Sequence, residues 1–268
     1  MSAASLPLPF DRPPRSPGGA CTLSTVVASE RVVLHAERAL EWPRARTLFV
    51  ADVHLGKAAA FRAGGVPVPR GSTATDLRRL DRVIARANAT RLVVLGDFLH
   101  AKAGRVAALA QAFVAWRTRH AAIDVLLVRG NHDAHAGDPP HDWRVRCVDE
   151  PYPLPPFLAC HHDERPRSGY ALCGHLHPGV RIVSGGDSMR LPCFVLGPQR
   201  AILPAFGRLT GLAERGPAPD ERIVAIAGDA LFELPPVSQN CNAGLPSVGT
   251  AAADATVDST VDSRCKHR

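Results

Sequence analysis

The chain has 268 residues, of which 46% are hydrophobic and 21% charged, and its formal net charge is +7. This length allows one large domain or two small ones, and no apolar run approaches the roughly 20 residues of a membrane-spanning helix. The first residues lack a continuous apolar stretch preceded by basic residues, and the seven cysteines form no CxxC pair. We therefore disfavour membrane and secreted disulfide-rich proteins and expect a cytoplasmic protein with reduced cysteines.

The N-terminal third combines a polar leader with short apolar segments. Residues 1–22 are rich in Pro, Gly and Ser, which predicts disorder. Segments 31–35 and 46–51 flank Trp42-Pro43 and favour a hairpin. After Gly71, apolar residues at helical spacing predict a first helix, and 105–120 predicts a second.

Between and after these helices, two apolar runs end in glycine followed by a polar residue. Residues 92–95 lead into Gly96-Asp97, and 125–128 lead towards Gly130-Asn131. Buried strands that alternate with helices are typical of a layered α/β fold.

Beyond Glu150 the apolar runs are short, and no long helical pattern separates them. This favours a second sheet, and the fold prediction is an α/β sandwich of two packed mixed β-sheets flanked by helices, in α/β/β/α order. We place the domain at 23–234 and predict that 235–268, which has few large apolar residues, is disordered.

Metal-ligand residue types follow five of the apolar runs. In chain order they are Asp52-Val53-His54, Gly96-Asp97, Gly130-Asn131-His132-Asp133, His161 and Gly174-His175-Leu176-His177. A mixed set of Asp, Asn and His suits first-row transition metals, and the ends of parallel strands are the usual place for a site. Two ions about 3.5–4 Å apart need a bridging ligand, and a carboxylate serves well. We assign that bridge to Asp97, the central carboxylate.

The remaining candidates divide between the two predicted ions. We assign one ion to Asp52, His54 and His177, and the other to Asn131, His161 and His175. Asp52 and His54 are two residues apart, as are His175 and His177, and an extended backbone would direct both side chains of each pair to the same side. His162 is the alternative to His161, since only one of two adjacent residues in a strand would face the site.

The ordered motifs carry a family resemblance. The set DxH, GD, GNHD, H and GHxH resembles that of the calcineurin-like metallophosphoesterases. Flanking residues such as Ala51 to Lys57, Val68 to Gly71 and Arg190 to Phe194 are similar to the bacterial ligase-associated DNA damage response endonuclease family. This resemblance implies a metallophosphoesterase, with manganese as the usual metal and with a DNA ligase and a helicase-like protein as partners. Mg²⁺, Fe and Zn are the alternative metals.

Four further residues beside the ligands are candidates for chemistry. His132 is the candidate that protonates the leaving oxygen, and Asp133 is assigned to orient its imidazole because the two are adjacent. Lys57 and Arg129 are candidates for contact with a phosphate oxygen, and for both a structural or solvated cation is the alternative interpretation.

Three functions fit the sequence. The first is a phosphodiesterase or endonuclease that acts on DNA in repair, which the basic net charge supports slightly. The second is a phosphomonoesterase or a phosphodiesterase of small molecules such as nucleotides. The third is a catalytically weak metal-binding scaffold. The same metal ligands fit the first two functions, because they contact only the phosphate, whereas the complete set of ligands together with His132 argues against the third.

Overall fold

A computed structural model describes residues 20–235 apart from 185, 215 and 217. Most of the predicted disorder, made for 1–22 and 235–268, falls on residues 1–19 and 236–268, which lie outside this range. Ala20 already bridges to Leu231, and the first strand begins at Thr22. Ala20 and Thr22, which the prediction placed in the disordered leader, therefore take part in strand pairing.

The first sheet has seven strands that neighbour each other in chain order. They are β1 (Thr22–Val27), β2 (Glu30–His35), β3 (Ala39–Trp42), β4 (Thr47–Ala51), β5 (Arg91–Leu95), β6 (Asp124–Val128) and β7 (Val145–Val148). The pairings from β1 to β4 are antiparallel, and those from β4 to β7 are parallel. The predicted hairpin was wrong in one respect: β3 lies between the two predicted strands and pairs with both.

Two long helices cover one face of this sheet. The helices are α1 (Lys57–Ala63), α2 (Ser72–Ala87), α3 (Ala107–Arg119) and α4 (Asn131–Ala136). Leu77 and Leu80 of α2 and Phe113 of α3 belong to the same buried cluster as Leu48 of β4 and Leu92 of β5. The helical spacing of these side chains, three or four residues, places them on one stripe, as the sequence predicted. Within the described residues, no helix is long and apolar enough to cross a membrane.

The second sheet packs on the opposite face of the first. Its strands are β8 (Tyr152–Leu154), β9 (Phe157–Ala159), β10 (Tyr170–Cys173), β11 (Pro178–Ser184), β12 (Asp187–Leu196), β13 (Arg200–Ile202), β14 (Ala213–Glu214), β15 (Arg222–Ala227) and β16 (Ala230–Glu233). Phe49 and Val93 of the first sheet meet Phe157, Leu172 and Phe194 of the second in a buried layer. The prediction of two packed mixed sheets flanked by helices is confirmed.

The outer face of the second sheet is covered differently from that of the first. Cys160, Cys173 and Cys193 form part of its buried cluster, and the described residues that pack on them come from strands and loops, including Leu191 and Leu234. In the described part of the chain both long helices therefore lie on the first sheet. The central parallel strands, buried on both faces, set the position of the site at their carboxyl ends.

Candidate metal centre

Three candidate ligands lie together because three parallel strands end in register. Ala51 of β4 pairs with Leu95 of β5, which in turn pairs with Val128 of β6. The chain leaves these strands at the same edge of the sheet. Asp52, Asp97 and Asn131 follow within three residues, so their side chains start from neighbouring positions.

The second sheet brings the other histidines to the same edge. His161 follows β9, and His175 and His177 follow β10, which runs parallel to β9. The backbone N–H of His175 donates to Asp52 Oδ2 at 3.0 Å and so joins the two sheets across the site. The seven predicted ligands therefore converge, although they come from five separate segments of the chain.

The first predicted ligand group, Asp52, His54 and His177, is closely packed. One potential ligand atom from each lies within 4.8 Å of the others, and His177 Nε2 lies 3.3 Å from Asp52 Oδ1. The Nε2 atoms of His54 and His177 are buried and lack a hydrogen-bond partner among the described residues. A buried polar nitrogen without a partner is costly, and a metal ion would supply that partner.

The second predicted group, Asn131, His161 and His175, brings acceptor atoms together. His161 Nδ1 donates to the Leu95 carbonyl at 3.1 Å, which leaves the lone pair of its Nε2 towards the site. That Nε2 lies 3.0 Å from Asn131 Oδ1 and 3.1 Å from His175 Nδ1. Since lone pairs that face each other repel, this cluster fits a bound cation.

Asp97 lies between the two groups, as a bridging ligand would. Its Oδ2 is 3.7 Å from His54 Nε2, and its Oδ1 is 3.5 Å from His161 Nε2. The two carboxylate oxygens thus approach opposite halves of the site. Burial raises the pKa of Asp97, and a positive partner at its oxygens would oppose that effect.

The protonation state of the histidines also suits a metal site. Burial lowers the pKa of His54 from 6.5 to about 2, with further repulsion from Lys57 and neighbouring histidines, and burial also lowers the pKa of His175. Both rings are therefore neutral at physiological pH. Only the neutral imidazole carries a lone pair for a metal, so the residues present fit two divalent ions.

The ligand backbone is strained at five positions. The φ angles of Asp52, His54, Asp97, His175 and His177 lie between 46° and 67°, in the left-handed region. Each such residue costs about 1–2 kcal/mol relative to a right-handed one. The prediction of an extended backbone for Asp52 and His54, and for His175 and His177, was therefore wrong. Their side chains converge because tight turns follow the strands.

Glycine is required where the backbone passes close to two ligand side chains. A Cβ on Gly96, whose φ is +75°, would collide with the His161 ring. A Cβ on Gly130 would lie 2.5 Å from the backbone nitrogen of Asp97. The glycines of the GD and GNHD motifs therefore let these strand ends approach one another.

His132 lies beside the bridging carboxylate, but Asp133 does not orient it. The His132 ring is partly exposed, and its Nε2 is 3.9 Å from Asp97 Oδ2. Its Nδ1 donates to the His100 carbonyl at 2.9 Å, so Nε2 is the nitrogen that faces the site. The Asp133 carboxylate is buried and accepts hydrogen bonds from the backbone N–H groups of Phe98, Leu99 and Gly130. The assignment of Asp133 to the imidazole was wrong because adjacency in sequence did not determine its contacts.

The two candidate phosphate-binding cations differ in their surroundings. Lys57 is half-buried at the start of α1 and lines a small cavity with His54. Burial lowers its pKa, against the attraction of Asp97 and Asp52. Arg129 instead directs its guanidinium to two carboxylates, Asp138 and Asp149, with N–O distances of 2.8 Å. The alternative interpretation, a structural cation, therefore fits Arg129 better.

His161 and His162 lie in different environments. His161 is fully buried against the site, whereas the side chain of His162 is 47% exposed. His162 Nδ1 contacts Glu150 Oε1 at 2.5 Å, and Glu150 Oε2 accepts from the backbone N–H of both histidines. These contacts favour His161 as the ligand.

Two residues near the site carried too weak a sequence signal for assignment. One is His100, whose ring stacks on that of His132 at 4.8 Å between centroids and lies near that of His54. Its position three residues after Asp97 was the one feature of the sequence that could have indicated its place near the site. Glu150, which fixes the backbone of His161, had none, because it lies in a separate segment eleven residues away.

Comparison with known proteins finds one matching family and two similar solved structures. A match to the calcineurin-like phosphoesterase family spans residues 45–197. The crystal structure of the Pseudomonas putida nuclease MPE is 39% identical, with a TM-score of 0.70, and the match covers 80% of this chain and 100% of that chain. The structure of the E. coli phosphoesterase Yfce is 14% identical, with a TM-score of 0.35, and the match covers 70% of this chain and 97% of that chain. Comparison with curated proteins gives no match.

The family match includes the segments that carry all seven predicted metal ligands, from Asp52 to His177. Members of this family use a dinuclear divalent metal centre, and the clusters of Asp and His described above suit such a centre. The chain therefore belongs to the calcineurin-like phosphoesterase family and is a metal-dependent hydrolase of phosphoester bonds.

Proposed function

We propose that this phosphoesterase hydrolyses phosphodiester bonds in DNA as an endonuclease, with Mn²⁺ as its metal. The observation that carries the dinuclear site is the position of Asp97, whose two oxygens lie 3.7 Å from His54 and 3.5 Å from His161. One carboxylate between two ligand groups is what a pair of ions requires. Asp, Asn and His together suit Mn²⁺, which accepts both oxygen and imidazole nitrogen.

When bound, the two ions would supply Lewis acidity and a nucleophile derived from water. The residues of the chain then have separate tasks. The Nδ1 of His132 keeps its proton in the hydrogen bond to the His100 carbonyl. The Nε2 of the charged ring is therefore the nitrogen that donates a proton to the leaving oxygen. Lys57, half-buried on the same side, offsets negative charge on the phosphate.

DNA as the substrate rests on similarity. The solved structure that is 39% identical to this chain is named a nuclease, and the match covers 80% of the chain. The flanking motifs resemble the ligase-associated endonucleases, and so we include in the proposal a role in DNA repair, a cytoplasmic location, and association with a DNA ligase and a helicase-like protein.

The test is hydrolysis by the full-length protein reconstituted separately with Mn²⁺, Mg²⁺ and Zn²⁺. The substrates are bis-p-nitrophenyl phosphate, p-nitrophenyl phosphate, and single- and double-stranded DNA. We expect cleavage of the diester and of DNA, fastest with Mn²⁺, and its loss in Asp97→Ala but not in Asp142→Ala, which changes an exposed carboxylate. Activity on the monoester alone would replace the proposal with a phosphatase, and no activity with any metal would favour the scaffold.

A further inference from the structure

A groove lined by arginines lies next to the metal centre. Its volume is about 660 Å³, within the range of ligand sites. The arginines that line it are Arg38, Arg79, Arg82, Arg86 and Arg208, which we call the arginine groove. Glu37 and Asp229 are the two carboxylates among its lining residues. Positive charge therefore exceeds negative charge on its walls.

Three of these arginines form a row on one helix. Arg79, Arg82 and Arg86 are spaced by three and four residues on α2, so they lie on the same face. The row is about 10 Å long at 1.5 Å per residue. A row of this length is longer than one phosphate group, so it can contact more than one phosphate of a strand.

Two of the arginines are held in place and only partly neutralised. Arg38 donates to the Ala205 carbonyl at 3.0 Å, and Arg79 donates to the Phe206 carbonyl, while its guanidinium lies 4.1 Å from the centre of the Phe206 ring. Asp76 pairs with Arg79 at 3.1 Å, but Arg79 Nε is buried without a partner among the described residues. Like charges held this close, with few acids nearby, are typical of an anion-binding site.

Arg82 and Arg208 have their side chains available. Both residues are exposed, and within the described range neither side chain makes a hydrogen bond or ion pair with another residue. Arg86 differs from them, because it pairs with Glu37 at 2.8 Å. Both guanidinium groups therefore line the groove without a hydrogen bond inside the described protein, although the Asp76 carboxylate attracts that of Arg208.

Arg208 connects the groove to the metal centre. It also lines the small cavity formed by His54, Lys57 and the start of α2. The segment that leads to it is bonded to the first ligand turn, since Gly207 N–H donates to the Asp52 carbonyl at 3.0 Å. A chain of anions could therefore run from the metal ions, past Arg208, along the row on α2.

We propose that the arginine groove binds the phosphate backbone of a nucleic-acid strand whose scissile phosphate lies at the metal centre. This inference rests on the proposed function and deepens it, because it gives the path of the substrate. The length of the row and its continuity with the centre favour a polymer over a single free phosphate. Binding through phosphates alone is independent of base sequence and depends steeply on salt.

The test measures binding of the Ca²⁺-loaded full-length protein to fluorescein-labelled single-stranded DNA of about 20 nucleotides by anisotropy, over a range of salt concentrations. The variants are Arg82→Ala, Arg208→Ala and their combination, with thermal unfolding as the check on folding. Arg119→Ala is the matched control: its side chain is 56% exposed on α3 and lies outside the groove. Hydrolysis of bis-p-nitrophenyl phosphate by the unaltered protein with Mn²⁺ is measured separately.

We expect the double variant to bind about tenfold more weakly and the logarithmic salt slope to fall by about 1.4, or about 0.7 for each lost phosphate contact. Arg119→Ala should change affinity less than about twofold. Unchanged affinity and slope in the double variant would overturn the groove proposal, even where the unaltered protein hydrolyses the diester. Failure of that hydrolysis would instead refute the proposed function. If the variants lost binding to polyglutamate but not to DNA, the groove would belong to an acidic protein partner.

Discussion

Replacing Asp133 tests whether this residue organises the site or acts in catalysis. Its carboxylate is 1% exposed and accepts hydrogen bonds from Phe98 N–H at 3.3 Å, Leu99 N–H at 3.0 Å and Gly130 N–H at 3.0 Å. These bonds tie the turn after β5 to the start of α4. Asp133→Ala would leave three buried donors without a partner.

The magnitude follows from those three bonds. Each buried donor without a partner costs about 1–3 kcal/mol. Part of this is offset, because burial raises the pKa of Asp133 and removal of the desolvated carboxylate recovers that cost. We expect Asp133→Ala to lower the free energy of unfolding by about 3–5 kcal/mol, a large share of the roughly 5–15 kcal/mol of a typical domain. Asp133→Asn keeps one acceptor oxygen and should cost about 1–3 kcal/mol.

Urea unfolding in EDTA, followed by circular dichroism, measures these differences without a contribution from metal binding. Asp142→Ala, the same substitution at an exposed position, should change the free energy of unfolding by less than about 0.5 kcal/mol. An Asp133→Ala protein that unfolds at the urea concentration of the unaltered protein, yet has lost turnover, would refute this reasoning. It would restore the interpretation in which Asp133 acts on the His132 imidazole.

Four further outcomes follow from the contacts. His132→Ala should keep its metal content by elemental analysis and lose about 10²–10⁴-fold in diester turnover; unchanged turnover would exclude it as the acid. Gly130→Ala should lose metal in the same measurement, because its Cβ meets Asp97. Lys57→Ala should lower kcat/KM about tenfold or more, whereas Arg129→Ala should lower it less than about threefold, since Arg129 is engaged with two carboxylates. The pKa of His54 falls from 6.5 in the unfolded chain to about 2 in the folded protein, so its contribution to stability is present above pH 6.5 and is lost as the pH falls. Urea titrations in EDTA should show that the free energy of unfolding decreases by up to about 1.4 kcal/mol per pH unit below 6.5. The same titration of His54→Gln should give a shallower slope.

The sequence predicted the ligands because their placement depends on local patterns. Val93 and Leu126 lie in short apolar runs that are typical of buried strands, and Gly96 and Gly130 mark where those runs end. Parallel strands that end together bring the following residues together, whatever the details of the turns. The convergence of Asp97 with Asn131 was therefore predictable.

The contacts of individual side chains were less predictable, because they depend on how distant segments approach. Asp133 is adjacent to His132, but its carboxylate meets backbone from the turn after β5. Likewise, the His132 ring is fixed by the carbonyl of His100, which is 32 residues away. Spacing in sequence gives no measure of such approaches. The same holds for Arg38 and Arg208, which line one groove although they are 170 residues apart in the sequence.

The strained ligand turns persist because they are bonded to one another. Asp52 N–H donates to the Gly96 carbonyl at 3.1 Å, and His54 N–H donates to the Asp97 carbonyl at 2.8 Å. His175 N–H donates in turn to the Asp52 carboxylate. Left-handed residues that cost about 1–2 kcal/mol each are thus held by hydrogen bonds between the loops that carry the ligands. Because the loops support each other through these bonds, the protein itself holds the ligand turns in their left-handed conformation.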